Sequence, residues 1–290
     1  MLSIIIPTLN EEECLPRLLE SIKEQNFNDY EITVADGNSQ DNTVEIAKRY
    51  GCKIVKGGLP AKGRNVGAEA AKGNLFLFVD GDSVLPENFL ELSLKEFRER
   101  KLGVAGFHLL PYKKNVFLKY IYDLFYNRPI SVMERFLPCA SNAILVKKEL
   151  HQKLGGFDEE IKIGEDHVYA GEGAKLEKFG VIKSTNIFFS TKRYECDGWL
   201  NTWIKYVLAG IYVPIFGPVK SNIFNYRFGH YAEEERKKTL RNSKKILKVI
   251  KSPLYILNPL IKSVILFGAA FLAFLVTASV VISKAVKKNP

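Results

Sequence analysis

Four short apolar runs in the first eighty residues, most separated by amphipathic stretches, constrain this chain more than any other feature. Ser3 to Ile6, Glu31 to Ala35, Cys52 to Val55 and Leu75 to Val79 read as strands. Asp41 to Tyr50 and Ala61 to Lys72 read as helices between them. Asn10 is a suitable N-cap for a helix with Glu11 to Glu13 in its first turn, and Pro86 suits the first turn of another. This alternation predicts an α/β fold with a mostly parallel, Rossmann-like sheet and helices on both faces. The unbroken apolar runs IIIP and LFLFV fit strands covered on both sides.

In such sheets ligands bind beyond the carboxyl ends of the strands. Thr8 and Asn10 follow the first strand, Asp36 the second, and Asp80 and Asp82 the fourth. On its own NLFLFVDGDS would be a strand with an acidic turn, because Asp, Gly and Ser are turn residues. The other strands ending in acceptors as well favours a ligand site. Asp80 and Asp82 alternate with one residue on an extended backbone and so point to the same side. Their hard oxygens suit Mg²⁺ or Mn²⁺, which bind through one or two carboxylates plus substrate phosphates. Gly81 between them lets a bulky ligand approach the main chain. Lys62 and Arg64, at a helix start, suit phosphate oxygens, and Asp36 suits a base or ribose donor. The sum is a nucleotide-diphosphate pocket with a divalent cation. Neither G-x-G-x-x-G nor G-x-x-x-x-G-K-[ST] occurs, so the dinucleotide and P-loop solutions do not apply.

The net charge of +10 belongs to the tail. From Ala232 onward there are twelve Lys or Arg against three Glu, leaving about +1 for the first 231 residues, and nucleic acid is not an expected partner. Ser263 to Ser283 has 21 residues without a charge, enough for a helix to span about 30 Å of hydrocarbon. Nine Lys or Arg precede it between Arg236 and Lys262. The expected division is a globular α/β domain at 1–231, a basic amphipathic juxtamembrane segment at 232–262, a transmembrane helix at 263–283 and a short basic tail at 284–290. Since the heavier basic flank lies on the cytoplasmic side, a single-pass protein of the cell membrane with its globular part facing the cytosol is expected. The four cysteines are widely spaced and read as free thiols.

Beyond Leu110 the pattern is less regular. Val116 to Tyr126 reads as an aromatic helix, Ala140 to Val146 as a strand, and Gly155 to Asp158 as a turn. Glu165 and Asp166 open a helix to Lys178, and Val181 to Phe189 returns as a strand. Tyr206 to Gly217 is apolar but broken by Gly210 and Pro214, which suits an interfacial helix or core.

The ordered set SIIIPTLNEEECLPRLLESI, EITVADGNSQDNT, KGRNVGAEAAKG and FLFVDGDS resembles the family 2 glycosyltransferases of GT-A fold. GGFDE at 155–159 and GED at 164–166 resemble that family's acceptor-side motif, and the likeness extends over about residues 2–195. The resemblance implies inverting transfer from a nucleotide-diphospho-sugar, a UDP- or GDP-sugar, with Mg²⁺ or Mn²⁺. It also implies donor contacts at Thr8, Asn10 and Asp36, with Glu11 and Gly81 beside them. Arg64 and Asn65 match the segment near the donor, Asp80 and Asp82 the metal-binding pair, and Asp166 the catalytic base. Lys192 and Arg193 in STKRYE resemble a basic pair of some non-processive members. Processive members carry Gln-x-x-Arg-Trp, whereas here Ser190 and Tyr194 occupy the Gln and Trp positions, so transfer of a single sugar is expected. His167, beside the acid pair, reads as a structural histidine.

A hydroxyl acceptor needs a base, whereas a polyprenyl phosphate, already ionised, does not. Glu165 and Asp166 therefore favour a hydroxyl, and the apolar tail favours an acceptor carried on lipid, such as a lipid-linked saccharide. Three other readings stay open. One is a polyprenyl-phosphate glycosyltransferase. Another is an inactive membrane-tethered nucleotide-binding scaffold. The third is a haloacid-dehalogenase-type phosphotransferase, although its acid pair ends the first strand and is followed by Gly-Thr, whereas Asp82 precedes Ser83-Val84.

Overall fold

The computed structural model of the chain describes residues 1–112, 116–136, 138–192 and 218–220. The chain divides into two compact units, Met1–Ser190 with Pro218–Gly229, and Thr191–Gly217 with His230–Pro290. In the second unit only Thr191 and Lys192 are described. The expected segments 232–262, 263–283 and 284–290, and Tyr206 to Gly217, lie outside the described residues. Among the described residues no helix is long and apolar enough to cross a membrane.

The first unit begins with a regular β-α alternation. Strand β1 (Leu2–Thr8) leads to α1 (Leu15–Lys23), β2 (Tyr30–Asp36) to α2 (Thr43–Arg49), and β3 (Lys53–Lys56) to α3 (Pro60–Ala70). Then come β4 (Leu75–Val79), the short β5 (Ser83–Val84) and α4 (Phe89–Glu99). In α1 the buried Leu15, Leu18, Leu19 and Ile22 recur at helical spacing, giving one apolar stripe for the sheet. β1 pairs in parallel with both β2 and β4, and β2 with β3.

The second half runs β6 (Val104–Pro111), α5 (Val116–Tyr122), a π-helical turn (Asp123–Asn127), α6 (Arg128–Val132), β7 (Ala143–Lys147), α7 (Lys148–Leu154), α8 (Glu165–Leu176) and β8 (Phe179–Phe189). The described strands form one sheet in the order β3-β2-β1-β4-β7-β6-β8-β5. β7 is antiparallel to both β4 and β6, β6 is parallel to β8, and β5 is antiparallel to β8. Most of the described strands thus share one direction, as expected, and β7 and β5 run against them, which makes the sheet mixed. β7 enters beside β4 from the opposite direction, and the sheet is mixed from there onward.

Strand burial on both faces is as expected. Ile5, Phe76 and Phe78 join a buried cluster with Ala61 of α3, Leu150 of α7 and Ala170 of α8. Ile4, Ile6 and Leu77 alternate to the opposite face and are equally sealed. Several boundaries differ from the sequence pattern. Asn10 does not cap α1; it sits at φ 56°, and the helix starts at Leu15 with a proline in its first turn. Pro86 likewise precedes α4, whose first residue Phe89 donates its backbone N–H to the Pro86 carbonyl. Strand β6 and helix α7 were not foreseen. Their sequences have no strong period, and long-range pairing with β8, β7 and the core defines them.

Candidate active site

The loops after β1 and β2 are zipped together by side chains that the sequence had marked as ligand contacts. The Thr8 hydroxyl donates to Asp36 Oδ1 at 3.3 Å, and the Asn10 backbone N–H to Ser39 Oγ at 2.9 Å. Asn10 Oδ1 accepts from the Gln40 N–H at 2.8 Å, and the Glu11 N–H donates to Thr43 Oγ1 at 2.8 Å. Asp36 is buried. Its Oδ2 accepts from the N–H groups of Asn38 and Ser39, each at 3.0 Å, and its Oδ1 from the Ser39 hydroxyl at 2.5 Å. These bonds tie the two loops together at the carboxyl ends of β1 and β2. An Asp in this position can hold such a turn because its acceptors mimic a backbone carbonyl.

Asp80 and Asp82 leave the end of β4 in a turn closed by the Ser83 N–H donating to the Asp80 carbonyl at 3.0 Å. The acidic turn and the ligand-facing strand end are therefore the same feature. A methyl group at Gly81 would lie 3.3 Å from both Glu11 Cγ and Thr8 Cγ2, which brings Thr8, Glu11 and the acid pair to one place. Among the described residues no group of three His, Cys, Asp or Glu can hold a metal ion by itself. Two carboxylates beside a close-approach glycine fit a hard divalent cation that takes its remaining oxygens from a phosphorylated ligand.

Arg64 organises the centre. It is 4% exposed, yet it joins two halves of the chain. Its Nη2 pairs with Asp80 Oδ1 at 2.7 Å and its Nη1 with Glu165 Oε1 at 2.6 Å, while its guanidinium lies 5.4 Å from the centroid of the Phe157 ring. Burial works against this charge, but Asp80, Glu165 and Asp166 outweigh it and hold the guanidinium above its already high ordinary value. Arg64, expected to face phosphate oxygens, is buried here with both of its Nη atoms paired to carboxylates. Asn65 has a similar office. It exchanges two hydrogen bonds with the Phe157 backbone, at 2.8 and 2.9 Å, and donates to Glu159 Oε1 at 3.0 Å. GGFDE is therefore docked on α3. Gly156 has φ 85°, and a Cβ there would come within 2.6 Å of Asn65 Oδ1, so only glycine fits.

The pair opening α8 divides its work. Glu165 is buried against Arg64; burial raises its carboxyl above the ordinary range, Arg64 pulls it down, neighbouring Asp166 pushes it up, and the balance is upward. Asp166 is the slightly more accessible of the two, its side chain 16% exposed against 10% for Glu165, and its Oδ1 accepts from the His167 N–H at 2.8 Å. His167, read as a structural histidine, is partly exposed and has partners on its ring, with Nδ1 3.7 Å from Asp166 Oδ1. Cys139 Sγ lies 3.6 Å from the same nitrogen and 3.9 Å from the Tyr126 hydroxyl. No spacing in the sequence points to that contact. The roles of Arg64 and Glu165 were half visible, since charge of both signs was evident but its partner was not. Lys192 is described and partly buried, whereas Arg193 lies outside the described residues.

Comparison with known proteins decides the family. The model of glycosyl transferase family 2 matches residues 3–153, just over half of the chain. The chain belongs to glycosyl transferase family 2. Among relatives of this family member, the poly(ribitol-phosphate) β-N-acetylglucosaminyltransferase TarS of Staphylococcus aureus is 34% identical over 99 residues, 31% of this chain and 17% of TarS. An uncharacterized glycosyltransferase of Rickettsia conorii is 26% identical over 242 residues, covering 77% of this chain and 39% of that protein. The chain thus spans well under half the length of these relatives. Among solved structures, TarS 1–349 in complex with UDP-GlcNAc superposes with a TM-score of 0.54 at 22% identity, over 65% of this chain and 58% of that one. The mannosyltransferase PcManGT of Pyrobaculum calidifontis, in complex with GDP-Man and Mn²⁺, gives 0.59 at 17% identity, over 99% and 86%. At these identities the likeness is one of fold, a GT-A-like α/β architecture.

Proposed function

We propose that this family member is a membrane-anchored inverting glycosyltransferase. It moves one sugar from a UDP- or GDP-sugar to a hydroxyl of a lipid-linked saccharide or lipid, with its catalytic domain at the cytoplasmic face. One observation carries the reading: the Arg64 guanidinium binds both Asp80 at the end of β4 and Glu165 at the start of α8. A strand-end acid suited to a donor and a helix-start acid pair suited to an acceptor thereby belong to one site. The donor complexes of TarS and PcManGT make a nucleotide sugar the natural ligand class to test.

In this reading the rim of Thr8, Asn10, Glu11 and Asp36 receives the nucleoside, and the groove over Gly81 receives the diphosphate. A divalent cation bound at Asp80 and Asp82 would neutralise charge growing on the leaving diphosphate. Asp166 takes the proton of the acceptor hydroxyl as its oxygen attacks the anomeric carbon. The new carbon–oxygen bond forms on one face while the bond to the diphosphate breaks on the other, and the leaving group takes that electron pair. Glu165, fixed on Arg64, holds the first turn of α8 so that Asp166 is aimed. Lys192 and Arg193 stay donor-side candidates by the sequence resemblance alone.

Titration calorimetry of the detergent-solubilised chain with UDP- and GDP-sugars, with and without Mn²⁺ or Mg²⁺, tests this directly. One nucleotide is expected to bind in a metal-dependent way, and Asp82→Ala to abolish that dependence. An absence of binding by every nucleotide sugar in the presence of metal would sink the transferase reading.

A further inference from the structure

The segment between β6 and β7 turns apolar side chains outward. Val132 is 81% exposed and Phe136 60%, with the exposed Arg135 between them. On α5, Tyr120 is 60% exposed beside the exposed Lys119. Scattered surface hydrophobics are ordinary and need no explanation. Here, however, the backbone is pinned so that they stay outside. Glu134 Oε2 accepts from the Val181 N–H at 2.8 Å, and its Oε1 accepts from Arg100 Nη2 at 2.8 Å and Lys183 Nζ at 3.4 Å. The Phe136 N–H closes the turn on the Met133 carbonyl at 2.8 Å. Just upstream, Ile130 is buried, and Ser131 Oγ lies 2.6 Å from His108 Nε2. Inward residues anchor the turn, and outward ones form its tip.

The charge of this face has one sign. Its two acids are engaged, Asp123 with Arg128 at 2.9 Å and Glu134 with Arg100 and Lys183. That leaves the exposed Arg135 within the apolar tip and the exposed Lys119 on α5, and apolar side chains accompanied by basic ones suit the head-group layer of an anionic bilayer. The tip is also close to the chemistry. Cys139, whose sulfur touches the His167 ring next to Asp166, follows Phe136 by three residues, a reach of about 10 Å at most.

We infer that Val132, Arg135 and Phe136 form a lipid-contacting tip that seats the acceptor side of this enzyme on an anionic bilayer. A lipid-borne hydroxyl then meets Asp166 from the membrane plane. This rests on the membrane-anchored reading proposed for the chain and adds which face of the folded unit touches lipid.

The test uses the full chain reconstituted into vesicles of phosphatidylcholine with and without phosphatidylglycerol. Flotation is measured first. Emission of Phe136→Trp and Val132→Trp is then compared with the unsubstituted chain and with Leu176→Trp, an exposed position on α8 outside the tip. Both tip variants are expected to add blue-shifted emission that bromine-labelled lipids quench, more strongly in the anionic vesicles, while Leu176→Trp adds none. A chain that floats but whose tip tryptophans stay unquenched overturns the inference and leaves the membrane anchor standing. Blue-shifted but unquenched emission would put the tip against protein and overturn it equally. A chain that does not float overturns both.

Discussion

The two halves of the sheet reach the same site by different routes. In the half formed by β3, β2, β1 and β4, every neighbouring pair is parallel, and each strand end delivers a polar residue to one edge. In the half formed by β7, β6, β8 and β5, the parallel pair β6 and β8 lies between two antiparallel strands, and the polar centre is delivered by a helix start and a glycine turn. The parallel half builds its polar edge from local grammar: strand, loop, helix. The mixed half depends on contacts between residues far apart in sequence, such as Arg64 with Glu165 and Asn65 with Phe157. In the proposed function the halves therefore divide the labour: the first receives the donor, and the second is tied to the first through Arg64 and Asn65.

Separating the halves functionally gives the largest expected effect. Asp166→Asn removes the proposed base without touching the strand ends. It should lower kcat about 10²–10⁴-fold for a hydroxyl acceptor, while the donor dissociation constant stays unchanged in calorimetry. A parallel loss of donor affinity would mean that the two halves do not divide in this way.

Cutting the link between them comes next. Arg64→Leu leaves Asp80 and Glu165 without the cation they share. Removing one partner from a buried charge cluster costs about 3–5 kcal/mol, measured as a fall in the denaturation midpoint. Adding Glu165→Gln in the same chain should restore part of that loss, because one orphaned charge disappears. Strict additivity of the two substitutions would show that no coupling runs through the guanidinium.

The smallest effect sharpens the comparison from within the core of the second half. His151, packed between Phe76, Phe78 and Tyr169 with its Nδ1 2.8 Å from the Tyr169 hydroxyl, has its pKa pushed by burial from 6.5 down to about 4. Below pH 6.5 the unfolded chain takes up a proton that the folded chain refuses, so stability falls as pH drops from 6.5 towards 4. The loss amounts to about 3 kcal/mol once pH is below the folded value. Unfolding followed across that window should show the slope in the native chain and a flatter one in His151→Gln. Equal slopes would place the acid sensitivity elsewhere.

Much of the parallel half was legible because its signals are local. Apolar runs mark β1, β2 and β4, a proline marks the start of α1 and of α3, and Asp80-Gly81-Asp82 ends a strand with nowhere to hide two charges. The sequence by itself placed Thr8, Asn10, Asp36, Asp80 and Asp82 at strand ends, since the period of two and the chain order leave no other place for them. It did not place β6 or α7, and it did not show that β7 and β5 run against the other strands. Strand direction beyond β4 is set by which edge β7 can pair with, an energy shared among residues about seventy positions apart. The tertiary structure alone decided that Arg64 pairs with Asp80 and reaches Glu165, that Asn65 clasps the GGFDE turn, and that Cys139 meets His167. Such pairings depend on burial. A buried charge or amide must find whatever partner the fold brings within hydrogen-bond reach, and a linear sequence carries no distance.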